Sequence, residues 1–203
     1  MPHGKIIPSL LALMLSAVGV LTGCRSPTAR SPSGSGAAQS TRNNCYSLLH
    51  QLLDEQKDVS ILRFIKAEHS DVKDLTKKIA AASGAGSKLL EAFARHDPSI
   101  NLNDIRLPSG EAATRGAIAS TKKEELMGQT GDEFELTLLL SQSEALSYAW
   151  HLAKVASEND SQPDRARAVA GVSQDMKNLY QEVFALLLSK TKLHATSRIG
   201  TQK

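Results

Sequence analysis

After Asn43 the apolar positions recur at steps of three and four almost to the end of the chain, and that spacing predicts a succession of helices. Leu48, Leu49, Leu52 and Leu53 share one side of a short first helix over 45–56, and Asp58 is placed to cap a fresh one. The next seam reads Ile61, Ile65, Glu68, Val72, Leu75, Ile79 and Ala82, a heptad-like face with one carboxylate in its middle. Gly84 and Gly86 are expected to end that helix. Ser87 or Lys88 then starts another, carrying Leu89, Leu90 and Phe93, that stops before Pro98.

Residues 97–110 hold two prolines and several turn formers, so they read as a surface connection pinned by Ile100, Leu102, Ile105 and Leu107. A helix over 111–127 follows. Glu111 and Arg115 are paired on it in the favourable order, but it has only Ala113, Ala117, Ile118, Leu126 and Met127 to bury, the mark of a peripheral helix. Gly128 and Gly131 break the chain, and Asp132 is placed to cap the stretch FELTLLLSQSEALSYAWHL over 134–152. At about 100° per residue, Leu138, Leu139, Ala145, Leu146, Ala149 and Leu152 fall on one wide arc, with Gln142 at its centre and Glu135 close by. Glu144, Tyr148 and His151 fall opposite. A last helix begins after Ser161 and Pro163 with the seam Val169, Val172, Met176, Leu179, Val183, Leu186, and should pack antiparallel on the Trp150 helix. The predicted architecture is all-α: an up-and-down bundle of four-helix type with short accessory helices.

Composition agrees. Leu and Ala carry the aliphatic weight and only 4% of residues are aromatic, which favours helices over strands. The 24 basic and 21 acidic residues nearly balance, and no basic face is evident, so nucleic acid is not an expected partner.

The N-terminus has a different pattern. Lys5 precedes an apolar run from Ile6 to Leu21 that Pro8 and Gly19 interrupt, an export signal rather than a comfortable membrane span. It ends in Leu21-Thr22-Gly23-Cys24, which resembles the lipobox of bacterial lipoprotein signal peptides. The resemblance implies a diacylglycerol thioether on Cys24, cleavage after Gly23 and acylation of the new amino group. Several acyl chains, at about 0.8 kcal/mol per buried methylene, hold far more firmly than one. Residue 25 is Arg rather than the Asp that resembles an inner-membrane retention signal, so the outer membrane is favoured, the domain facing the periplasm or the cell surface.

The expected division is therefore signal peptide 1–23, lipidated Cys24 with a disordered Ser/Pro/Gly linker over 24–42, bundle 43–189, and a basic disordered tail 190–203. Arg25, Arg30 and Arg42 have no acid near them in sequence and read either as solvated linker or as contacts for anionic headgroups. The tail reads either as a frayed terminus or as a contact for an anionic envelope polymer. Cys45 reads as a small buried residue or as a bridge to another chain.

Chemistry is sparse. A di-metal bundle core draws on Glu-x-x-His pairs, and the residues three before His50, His69, His96, His151 and His194 are Ser47, Lys66, Phe93, Tyr148 and Thr191. No haem, phosphate-loop or nucleophile-elbow motif occurs, so no cofactor is expected and no catalytic residue is assigned. Glu68, Glu135 and Gln142 stand apart because they fall on apolar seams, where an unpaired charge is costly. Either they are weak candidates for a metal or proton site, or they are satisfied by buried Tyr, Ser or Arg partners. Glu144 and His151 read as solvated.

Three short motifs, Phe64-Ile65-x-Ala67-Glu68, Leu107-Pro108 and Gly131-x-x-Phe134-Glu135, followed by the long last helix, resemble in their order a ferritin-like family of exported bacterial proteins classed as a domain of unknown function. The resemblance spans 64–188 and implies a four-helix bundle with no established activity. The chain departs from it by lacking the histidines that such proteins often show inside these helices, with Glu144 and Leu146 near where one is expected. The sequence thus points to a non-enzymatic, lipid-anchored protein with an interaction or structural role in the envelope, its expected partner an unidentified envelope protein or polymer. The alternative is a ferritin-like metal-binding or redox protein with a reduced ligand set.

Overall fold

The computed structural model describes residues 34–58 and 69–200, with side chains described for 36–58 and 69–192. Cys24, Glu68 and the seam residues Ile61 and Ile65 lie outside them. Among the described residues every regular element is a helix: α1 (Gly34–Gln56), α2 (Ser70–His96), α3 (Ser109–Gly128), α4 (Gly131–Glu158) and α5 (Pro163–Gly200).

Four of these form a closed ring in which α1 packs on α2, α2 on α5, α5 on α4 and α4 on α1, and the α4–α5 contact is the most extensive. Neighbours run antiparallel. Leu53 of α1 meets Gly86 of α2, Lys78 of α2 reaches Glu182 of α5, and Ser173 Oγ of α5 donates to the Trp150 carbonyl of α4. The core inside the ring is aliphatic, with Leu49, Leu52, Ile79, Leu138, Leu146 and Met176 fully buried. Each such side chain contributes about 1.5–3 kcal/mol on leaving water.

The weak helix is peripheral, as its stripe predicts. It is α3, which packs chiefly on α4 and buries only Ala119 and Leu126 among its residues. It also has a topological task. α2 ends and α4 begins at opposite ends of the bundle, and α3 carries the chain back along the full length between them. At the turn into α4, Gly131 takes φ 57°, a left-handed conformation that favours glycine. Helix α4 starts at Gly131 with Thr130 at its N-cap, so the predicted cap Asp132 stands instead in the first turn, where its charge still complements the helix dipole. Pro163 opens α5, a position that needs no N–H.

Three boundaries differ from expectation. Helix α2 runs unbroken through Gly84 and Gly86, because Gly86 serves packing rather than termination. A Cβ there would stand 2.8 Å from Leu53 Cδ1 and 3.4 Å from Val172 Cγ1, so its absence lets α1 and α5 close on α2. Helix α1 begins at Gly34, inside the segment read as linker, and α5 continues to Gly200, through the segment read as tail. The physical reason is shared: Arg42 and Lys190, both buried, are counterions for carboxylates elsewhere in the bundle.

Candidate functional site

Two buried carboxylates, each with a cation beside it, stand at the two ends of the bundle. At one end, His69 precedes α2 in extended conformation and packs against the first turns of α4. Glu135, fully buried, accepts the His69 backbone N–H at 2.8 Å on Oε1, so a side chain of α4 caps α2 across the bundle. Its Oε2 lies 2.8 Å from His69 Nδ1 and 3.0 Å from Lys190 Nζ. Lys190 also lies 3.6 Å from Asp71 Oδ1, and Asp132 Oδ1 is 3.8 Å from His69 Nδ1. The side chains of His69 and Asp132 are about half exposed, 51% and 50%, while Lys190 shows only 10%. The arrangement is a buried carboxylate neutralised by a buried ammonium and roofed by an imidazole that water reaches.

Of the residues singled out from sequence, Glu135 and Gln142 are both buried, but they do not share a site. They are separated by about 10 Å along α4, at 1.5 Å per residue. Gln142 Oε1 is buried without a hydrogen-bond partner. Among the described residues, His69 and Lys190 are partners of Glu135. His151 is exposed, its Nδ1 2.7 Å from the Ser147 carbonyl and its ring against Trp150. Glu144 and Tyr148 correct the sequence reading, because α3 covers their face. Arg115, paired with Glu111 at 2.6 Å, donates to Tyr148 Oη at 3.0 Å and lies over its ring. Burial raises the Glu144 carboxyl above its ordinary value, against the opposing pull of Lys122.

His69, Asp132 and Glu135 bring three possible ligand atoms within 4.8 Å of one another, yet they fit a metal poorly. A divalent ion on Glu135 Oε2 would stand against the Lys190 ammonium, which has little solvent to retreat into. A ferritin-type centre further requires glutamates and Glu-x-x-His pairs from facing helices, which these residues do not supply.

The opposite end holds a second buried carboxylate, Asp160. Tyr46 Oη donates to its Oδ2 at 2.5 Å, Arg165 forks onto both oxygens, and the Gln162 backbone N–H donates to Oδ1 at 2.9 Å. Arg165 also reaches Asp97 Oδ2 at 2.8 Å, and Arg42 approaches Asp160 at 4.0 Å while its fork binds Asn43 and Ser99. Burial pushes the Asp160 carboxyl up, but the Arg165 and Tyr46 bonds outweigh it and hold the group below its ordinary value. Tyr46 is raised, by burial first and then by Asp160. Beside this network, Asn43 and Asn44 of α1 fasten the 97–108 connection through the Ser99 carbonyl and the Arg106 N–H. There they line a polar cleft of about 360 Å³ with Asn101, Asp104 and Arg106. Cys45 is buried, its thiol raised by desolvation, as suits an inert core residue.

Sequence reasoning missed His69, Lys190, Arg42 and Asp160. No local pattern marks them as a set: Glu135 meets His69 and Lys190, and Asp160 meets Arg42 and Tyr46, from different elements, although Arg165 lies only five positions after Asp160. No protein-family model, curated protein or solved structure matches the chain.

Proposed function

We propose that the chain is an exported lipoprotein, held by acyl groups on Cys24 to a bacterial outer membrane, whose helical bundle serves envelope interaction or support rather than catalysis. The observation that carries this reading is Leu21-Thr22-Gly23-Cys24 at the end of a basic and then apolar leader. Among the described residues no helix is long and apolar enough to cross a membrane, so in this reading the attachment is the lipid. Both buried carboxylates are matched by cations within the bundle, which favours a rigid display module for an envelope protein or polymer. Cys24→Ser should abolish palmitate labelling and release the protein from membranes. Unchanged labelling would overturn the lipid anchor, and in-cell crosslinking of the anchored form identifies the partner.

A ferritin-like kinship is the finer reading of the fold. The single long crossover through α3, joining two antiparallel pairs, supports it. A metal or redox role on that basis would draw on Glu68 and Glu135, with His69 as the added ligand. Lys190 weighs against it. Stoichiometric iron or manganese in the purified protein, lost in Glu135→Ala, would establish that role over the first.

A further inference from the structure

A second histidine–carboxylate cluster stands on the seam between α1 and α2, and neither reading above uses it. His50 and Asp54 are four residues apart on α1 and so present side chains from adjacent turns of one face. Glu91 meets them from α2. His50 Nε2 lies 3.6 Å from Glu91 Oε1, and one ligand atom from each of the three falls within 4.8 Å of the others. His50 Nε2 is shielded from solvent yet has no hydrogen-bond partner. A buried polar atom left so is destabilising, and a cation between it and the two carboxylates would satisfy it.

We infer that His50, Asp54 and Glu91 form a site for a divalent transition-metal ion of the zinc class. One imidazole and two carboxylates suit zinc, whereas magnesium and calcium take oxygen alone. Ligand atoms at about 2.0–2.2 Å from a tetrahedral ion stand roughly 3.4 Å apart. His50 and Glu91 are already near that separation, and a rotation of the half-exposed Asp54 completes it. Three protein ligands leave one position for water or for a donor from a partner.

The contrast with the Glu135 cluster decides between the two. Each has a lysine on a carboxylate, but Lys57, which binds Asp54 Oδ1, is 41% exposed just past the end of α1 and can swing into solvent. Lys190 has no such room. Ser87 Oγ, at 3.4 Å from the same Asp54 oxygen, is a weak competitor. Arg95 lies 3.9 Å from Glu91 Oε2, the oxygen the ion does not need. Binding would then tie α1 to α2 without disturbing the core.

The test is a calorimetric titration of the full chain in detergent with zinc ion, paralleled by cobalt(II) absorption to report a tetrahedral imidazole–carboxylate site. One ion per chain is expected. Affinity should fall at least about tenfold in His50→Gln and in Glu91→Gln, tighten severalfold in Lys57→Ala, and stay unchanged in His69→Gln. No saturable binding, or binding indifferent to both His50→Gln and Glu91→Gln, would overturn the site. Loss of binding in His69→Gln alone would move it to the other cluster. Glu91 is partly exposed, so its variant keeps the test decisive should His50→Gln fold poorly. Cys24→Ser leaves the expected binding intact, which separates this site from the lipid anchor.

Discussion

Each end of the bundle buries one carboxylate, and the two are held in different ways. Asp160 is gripped by the planar fork of Arg165, by Tyr46 and by a backbone N–H, with Arg42 behind. Every partner has its direction fixed. Glu135 meets the flexible ammonium of Lys190, together with His69, whose backbone N–H and half-exposed ring both face it. Arginine offers a rigid pair of donors, whereas lysine offers one flexible ammonium. The Asp160 end is therefore a lock on the bundle, fastening α1, α5 and the 97–108 connection together. The Glu135 end is the softer of the two, where α2 is capped from α4 and water reaches the imidazole.

The largest expected effect follows from breaking the lock. Asp160→Ala leaves Arg165 and Tyr46 facing a buried gap, and a loss of about 3–5 kcal/mol is expected in chemical denaturation. Glu135→Ala strands Lys190 and uncaps α2, with an expected loss of about 2–3 kcal/mol. The double change Glu135→Gln with Lys190→Met should recover most of it. If Glu135→Ala proves the more damaging, the ranking of the two ends is reversed. Between the ends, Gly86→Ala forces a methyl against Leu53 and should cost about 1–3 kcal/mol, calibrating how tightly the ring itself is packed. Gln142→Met removes the unpartnered Oε1 from the core and is expected to stabilise by about 1 kcal/mol.

The smallest effects are read in pH. Burial raises Glu55 to about 7, partly opposed by its bond from Gln51 and reinforced by Asp54. A folded value above the unfolded one, 4.5, means that the native state holds the proton more tightly. Stability then declines as pH rises from near 4.5 through about 7, and Glu55→Gln should flatten that decline while leaving stability at lower pH unchanged. Asp160 has the opposite sign. Its lowered value contributes stability above its unfolded value of 3.8, lost as pH falls through the lower folded one.

Much of the frame was legible in the spacing of leucines and alanines: the all-helical class, the antiparallel last pair, the weak α3 helix and the inward phase of Glu135 and Gln142. The errors have one cause. Gly84 and Gly86 carry helix-breaking propensity, but the close approach of Leu53 and Val172 turns the second into a packing residue. Arg42 and Lys190 stand among polar residues and so read as linker and tail. Their roles depend on Asp160 and Glu135, which lie far along the chain.

The sequence by itself determined which faces are apolar, because helical periodicity is a local property that burial only reinforces. It also holds Leu21-Thr22-Gly23-Cys24, the stretch read along the chain on which the proposed lipid anchor rests. Tertiary structure alone decided which charges neutralise which, since Lys190 meets Glu135 and Arg42 approaches Asp160 from other helices, far along the chain. Only the α1–α2 seam brings His50 and Asp54 against Glu91, and there a histidine without a Glu-x-x-His motif acquires the neighbours of a metal ligand.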